Sequence, residues 1–571
     1  MFDSFIEHIL LMKIKPELRF WVASTLSVVL MLVHSGCWFE NPVEPFYGKV
    51  VVPQGQEFNW SNGGLPRTFD PAFAAAPPDT DLVRAIFEGL TDYDPKSLAP
   101  IPAVATRWEP SNGGRTWTFH LRSDAQWSNG EPVTAQDFVR SWRRIVRIGD
   151  LAPHTNLLEN IEGSDRRSAI ASSQSPSAAK PVANDARFGV EAVSDHVLRV
   201  RLRRPDMNFP ALVAHPVFRP VKVDEELSTR KLPRENIISN GAFSLAKTEA
   251  QRVLLERAPN YWDKQQVTLE RVAFVDQRDA ESALAAYEAG EVDVVTNVAF
   301  EPLAIKLLAP YDDFRRTTYG ALTYYTFNTS HEPFDDVRVR EALTLAIDRE
   351  RISKDDLDGA TEPATRFLPD TVGGSQQPVV EKSELLEKDH ERARDLLAEA
   401  GFPDGEGFPT IRLLINRNEQ QRLVAGSVAA MWREVLGIET EIIIKPWDEY
   451  QAAIVAGDFD LVRRGLVMQT TDELTNIRSL FQEVVVRTPQ TTGGDTDSES
   501  TPQPANPKPA VPPIETEAQA LKDLTAMPIY FASSYALVKP YVTGFDSNVL
   551  DAPSLKTVRI NTAWKPPPPA K

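Results

Sequence analysis

Asp335 and Asp336 stand side by side in "PFDDVRVREALTLAIDRERI" (333–352), and paired carboxylates are residue types that general acid/base chemistry uses. They sit at the start of a helix-like run, where carboxylates cap free N–H groups and favour the helix dipole. We therefore read them as caps. The chain contains no HExxH zinc helix, no GxSxG nucleophile elbow and no GxxxxGK[ST] phosphate loop. Its 8 histidines show no ligand spacing, and a single cysteine, Cys37, provides neither an intrachain disulfide nor a Cys-rich metal site. No catalytic residue, metal or cofactor is expected, and the chemistry left to explain is binding.

Stepping out to the whole chain, 571 residues exceed the roughly 250 to 300 at which single cores stop growing, so two or more domains are expected. A composition of 42% hydrophobic and 25% charged residues is globular, while 45 prolines against 28 glycines point to long loops. The net charge of -18 argues against nucleic acid as a partner, because phosphate binding needs a basic face.

Lys13, Lys15 and Arg19 precede the uncharged stretch "FWVASTLSVVLMLVHSGCWF" (20–39), whose apolar heart has the length of a signal-peptide core. Export is expected, with residues 1–37 as the signal. Ser35 and Gly36 before Cys37 resemble a bacterial lipobox, in which cleavage exposes the cysteine for lipid attachment, although His34 stands where leucine is usual. The alternative is an uncleaved N-terminal helix that anchors the chain in the membrane. Either way the remainder lies outside the cytoplasm, in the periplasm or at the cell surface.

Two segments, 165–187 and 484–517, are rich in Ser, Thr, Pro and Asp and poor in large apolar residues. They cannot offset the entropy of ordering and are read as disordered insertions. Between them the clearest architecture lies in 391–466. "ERARDLLAEAGF" places Ala393, Leu396, Leu397 and Ala400 on one helical face, stopped by Gly401 and Pro403. Strand "TIRLLIN", helix "EQQRLVAGSVAAMWREVLG", buried strand "IETEIII", helix "WDEYQAAIVAGD" and strand "FDLVRRG" follow, an alternation that predicts an α/β layer with a parallel sheet. "TWTFHLR" and "HVLRVRLRR" alternate instead as half-buried antiparallel strands.

A resemblance then covers roughly residues 45–560. "RTFDPAFAAAPPDTDLVRAIFEGLTDYDP", "AVATRWEPSNGGRTWTFHLRSDAQWSNGEPVTAQDFVRSWRRI", "ISNGAFSLAKTEAQRVLLERAPNYWD", "YEAGEVDVV", "PFDDVRVREALTLAIDRERI" and "MPIYFASSYALVKPYVTGF" occur in this order. The set resembles the extracytoplasmic oligopeptide-, dipeptide- and nickel-binding proteins of ABC importers. The resemblance implies an α/β, two-lobe periplasmic-binding-protein fold with a hinge between lobes and an extra domain on the first lobe. Residues 38–75, 220–320 and 527–571 would form the first lobe, 76–219 the extra domain and 321–526 the second lobe. Asp336, Arg338 and Arg340 would hold the second lobe by ion pairs.

The same resemblance implies a peptide ligand lying extended between the lobes, paired as an added strand, and ABC permease and ATPase subunits as partners of a monomeric receptor. Tyr319, Tyr324 and Trp447 match aromatic positions of the ligand cavity, and Arg463 matches an arginine that pairs with a ligand carboxylate. In relatives an aspartate after a "GW" pair holds the peptide's α-ammonium. Here Gly465 keeps the glycine, Leu466 replaces the tryptophan and Gln469 falls at the aspartate, with Asp472 or Glu473 as alternatives if the loop is shifted. Leu65 replaces a second acid, the family's cysteine pair falls on Ala321 and Val467, and the second lobe is shortened after Phe481. The expected function is capture of oligopeptides, or of a related carboxylate ligand, for import. The alternative is a sensory or interaction protein that reuses the fold without the ammonium anchor.

Overall fold

Two long strands, Phe314–Phe327 and Ala526–Val538, organise the chain. Both are dense in β-branched and aromatic residues, the types that pack on a pleated surface. They run antiparallel in two stretches: Phe314–Thr318 faces Ser533–Leu537, and Leu322–Thr326 faces Ala526–Phe531, with a register break between Thr318 and Leu322. The structure, a computed structural model, describes residues 45–164, 188–222, 230–370, 386–481 and 513–566. Cys37, the signal segment and the 165–187 insertion lie outside them, as does the 484–517 insertion up to residue 512.

Each long strand carries half of one sheet. Beyond Ala526–Val538 come Val294–Thr296, Glu57–Asn62, Arg271–Val275, Arg252–Arg257 and Phe243–Thr248; beyond Phe314–Phe327 come Leu461–Val467, Ile411–Asn416 and Thr440–Lys445. Parallel pairing occurs in both halves, Glu57–Asn62 with two neighbours on one side and Ile411–Asn416 with two on the other. The result is two α/β halves joined through the paired long strands. Helices Glu419–Leu436 and His390–Glu399 bury Trp432, Val428, Leu396 and Leu397 in the second half, and Gly437 ends the former in the left-handed region at φ 69°.

Four antiparallel strands, Ala105–Ser111, Thr116–Leu121, Val197–Arg201 and Val190–Ser194, form a separate sheet. Their alternating burial matches the period-2 pattern in "TWTFHLR". One continuous apolar cluster joins this sheet to the first half, running from Trp60 and Phe274 to Phe119 and Trp142. A smaller cluster crosses to the second half and packs Tyr93, Leu98, Ala211 and Ala214 against Met468, Ile477 and Leu480.

Three details differ from the sequence reading. Among the described residues the strand in "IETEIII" is an edge with Ile411–Asn416 as its one neighbour, and Ile444 is 40% exposed rather than buried. Residues 513–516 at the end of the expected insertion belong to the described structure, and Glu517 begins helix Glu517–Asp523 as a buried partner of Arg366. The third concerns the 333–352 segment. Asp336 caps helix Val337–Leu345 by accepting the Arg338 N–H at 2.9 Å, and it pairs with the Arg338 guanidinium at 2.6 Å. Arg340 makes no such pair among the described residues: it donates to the carbonyls of Phe334, Asp335, Asp523 and Leu524 at 2.7–3.0 Å. Helix C-termini and chain turns leave carbonyls that need donors, and a buried guanidinium supplies several in one plane.

Arg349 works the same way, donating to Pro528 O at 2.8 Å and Leu386 O at 2.9 Å while only 3% exposed. Replacing Arg340 by Met strands four carbonyls, so we expect Arg340→Met to lower unfolding stability by about 3 kcal/mol, read as a reduced denaturant midpoint. Arg338→Met, at a half-exposed ion pair, is expected to shift it much less.

Candidate functional site

Parallel strands gather their ligand-facing loops at their C-terminal ends. In the second half those ends are Asn416, Lys445 and the segment after Leu461–Val467, and the side chains that converge there share one sheet face. Register places Tyr325 opposite Arg463, and Thr323 opposite both Gly465 and Tyr530. The Arg463 guanidinium donates to Gln421 Oε1 at 3.1 Å and to Thr323 Oγ1 at 3.4 Å. Gln421 in turn donates to the Tyr530 hydroxyl at 2.9 Å. These bonds orient Arg463 through neutral acceptors, and no ion pair to it is seen among the described residues, which leaves its charge for an anion.

Two neighbours complete the arrangement. A Cβ on Gly465 would lie 3.3 Å from Arg463 Nη2, so the glycine leaves the space into which the guanidinium folds. Trp447, at the start of helix Trp447–Ala456, is 59% exposed and stacks on Tyr450 with ring centroids 5.6 Å apart. The Tyr450 hydroxyl donates to the main-chain carbonyl of Arg463. Tyr450 packs with Leu414 and Val462, so the exposed Trp447 indole offers an apolar surface on the sheet face opposite the Arg463 side chain.

The remaining sequence candidates lie elsewhere. Tyr324 is on the opposite sheet face from Arg463, 2% exposed, with its hydroxyl donating to Leu480 O at 3.3 Å. Tyr319 lies beside the register break, half-buried, and its phenol is pushed up to about 12 by burial and then by Asp551. Gln469 donates to Val467 O at 3.2 Å and lies beside His215. Asp472 accepts the Thr475 N–H at 2.7 Å, and Glu473 accepts the Glu517 N–H at 2.8 Å. Ala321 and Val467 are register partners. Leu65 packs against the first core.

The first half presents its own strand ends. Asn62 accepts from Thr296 Oγ1 at 2.9 Å and donates to Asp81 at 2.8 Å, and Asp81 pairs with Arg84 at 2.9 Å. Asp551 accepts from Ser534 Oγ at 3.0 Å, and burial together with the Asp81 charge pushes its carboxyl up to about 6. Sequence reasoning missed Gln421, Thr323, Tyr450 and Tyr530. The available signal was the spacing of Asn418 and Gln421, an N-cap and third helical position that place Gln421 at the strand ends.

Residues 99–485 match the family described as bacterial extracellular solute-binding proteins, family 5, middle. The chain is 30% identical over 506 residues to the periplasmic oligopeptide-binding protein OppA of Escherichia coli K12, covering 87% of this chain and 91% of that protein. It is 33% identical over 423 residues to the periplasmic murein peptide-binding protein MppA of the same strain, covering 73% and 76%. Among solved structures it is similar to the unliganded open form of MppA, with a TM-score of 0.70, 27% identity, and coverage of 89% of this chain and 98% of that one. Another structure of E. coli MppA, at 28% identity and with coverage of 90% and 99%, gives a TM-score of 0.58.

The Asp551 carboxyl supplies a pH test. A carboxyl raised in the folded state contributes stability that is complete below its unfolded pKa and is lost as pH rises through the folded one. Asp551→Asn keeps an amide at φ 50°, a left-handed conformation that Asn tolerates. We expect the wild type to lose on the order of 2 kcal/mol relative to Asp551→Asn between about pH 4 and pH 7, measured by chemical unfolding at each pH.

Proposed function

This chain belongs to the bacterial extracellular solute-binding proteins of family 5, and from that premise we propose that it is the extracytoplasmic receptor of an ABC importer. It captures oligopeptides, or a related carboxylate-bearing ligand, between its two halves and presents them to the permease, while other subunits hydrolyse ATP. The observation that carries this reading is Arg463: a guanidinium at the strand ends, oriented by Gln421 and Thr323 and hydrogen-bonded to neutral acceptors. In this reading the ligand carboxylate pairs with Arg463. The relatives named for oligopeptide and murein peptide binding support it.

The paired long strands serve as the hinge, bending at the break between Thr318 and Leu322. Ligand contact with both halves shifts the population toward a closed state that the permease recognises. Likeness to an unliganded open form at TM-score 0.70 supports an open arrangement for the empty chain. The lobes follow the division 38–75 with 220–320 and 527–571, against 321–526, with 76–219 as the extra domain. Cys37 tethers the monomer by lipid, or the uncleaved N-terminal segment does so. Among the described residues no helix is long and apolar enough to cross a membrane.

One observation favours a second reading. Gln469 is uncharged, and Asp472 and Glu473 already accept main-chain N–H groups, which fits a sensory protein, or a receptor for ligands without a free ammonium.

Mass spectrometry of molecules released on denaturation, with titration of di- to pentapeptides by calorimetry, tests the main reading. Bound peptides or saturable heats support it; an empty protein with no heat for any peptide removes it. Arg463→Ala is expected to weaken peptide binding about tenfold or more, the worth of one charge-assisted hydrogen bond. Gly465→Ala, which crowds the guanidinium, is expected to weaken binding while leaving the melting temperature unchanged.

A further inference from the structure

Asp206 and Asp472 come from opposite sides of the junction between the halves. Asp206 follows strand Val197–Arg201, and Asp472 precedes helix Glu473–Phe481. Both are buried, at 5% and 0% exposure; Asp206 lines a small cavity with Leu474 and Thr475, just after Asp472, and the two carboxyls face each other closely enough that each acts on the other's proton. Each has a main-chain donor on its own side: Asn208 N to Asp206 Oδ1 at 2.8 Å, and Thr475 N to Asp472 Oδ2 at 2.7 Å. Asp472 Oδ1 is buried with no hydrogen-bond partner among the described residues. Two ionised carboxylates have only lone pairs to offer each other, so this contact requires a proton.

We propose that Asp206 and Asp472 share one proton and thereby form a pH-operated clasp between the four-stranded-sheet region and the segment that follows Leu461–Val467. The surrounding contacts define the same junction. The Tyr93 hydroxyl donates to Thr470 at 3.3 Å, and Arg204 pairs with Glu515 at 3.4 Å. The charged or titratable groups around the pair are Tyr93, Glu473, Arg204, Arg478, Glu159 and Glu515. Burial pushes the Tyr93 phenol up to about 12, so it stays neutral and donating. Glu473 is itself raised by burial and by the nearby acids Glu517 and Asp472. Arg204 and Arg478 repel each other at the rim, and Glu515 draws on both.

Burial and the facing Asp472 push the Asp206 carboxyl well above its ordinary range, and burial raises Asp472. The sign follows. Below the ordinary carboxylate range the bridging proton is present and the clasp holds; as pH rises through the raised value of Asp206 the proton leaves, and two buried anions face each other. The arrangement of the halves is therefore tied more firmly in acid than in base, independently of any ligand.

Asp206→Asn tests this, because its amide N–H supplies the missing donor at every pH. The melting temperature of the full chain is measured for wild type and variant from about pH 4.5 to pH 8.5. We expect the variant's advantage over wild type to be small at the acid end and to grow by several degrees toward the alkaline end. Asp472→Asn provides a second donor from the other side and is expected to show the same trend. A difference from wild type that does not change with pH in either variant overturns the clasp.

Discussion

The hydrogen-bonded ladder between Phe314–Phe327 and Ala526–Val538 is the constraint on which the rest of the molecule depends. Neither half can complete its sheet without borrowing from it, because Leu461–Val467 pairs with the first strand and Val294–Thr296 with the second. Two hydrophobic cores thus share one backbone ladder. The break between Thr318 and Leu322 is where that ladder is weakest, and Gly320 at its centre is held against Val549 and Met468 by main-chain bonds of 2.7 and 2.8 Å. A Cβ on Gly320 would sit 3.0 Å from the Val549 carbonyl, which explains why that strand carries a glycine amid β-branched and aromatic neighbours.

Site geometry follows from the same strands through their two-residue period. Thr323, Tyr325 and Tyr530 fall on one face and meet Arg463, while Tyr324 falls on the other and enters the core. Buried arginines reinforce this arrangement from behind. Arg349 and Arg340 donate to carbonyls in and just before Ala526–Val538, so the 333–352 helices are fastened to the ladder by main-chain recognition.

Much of the fold was legible from local patterns. The alternation in 391–466 predicted its helices and strands because apolar periodicity and the glycines at 401, 437 and 457 act within a few residues. The edge position of Thr440–Lys445 was not legible, since three consecutive isoleucines read the same whether one or two neighbours cover them. At the site, Arg463 and Trp447 drew notice through the family resemblance, but pairing register alone decides that Tyr325 rather than Tyr324 shares the face of Arg463. Gln421 carried no signal beyond its place in the first turn of a helix. Asp206 and Asp472 were beyond reach of any local pattern, since their meeting depends on how distant segments dock.

On the proposed role of Arg463 as the partner of a ligand carboxylate, its restraint by Gln421, Thr323 and the empty space over Gly465 has a kinetic consequence. A long, flexible cation normally surrenders rotamer freedom when an anion arrives, and that loss weakens the complex. Here the ordering is already complete in the empty protein. Encounter needs no side-chain search, so ligands that differ in how well they meet the fixed guanidinium will differ mainly in how long they stay.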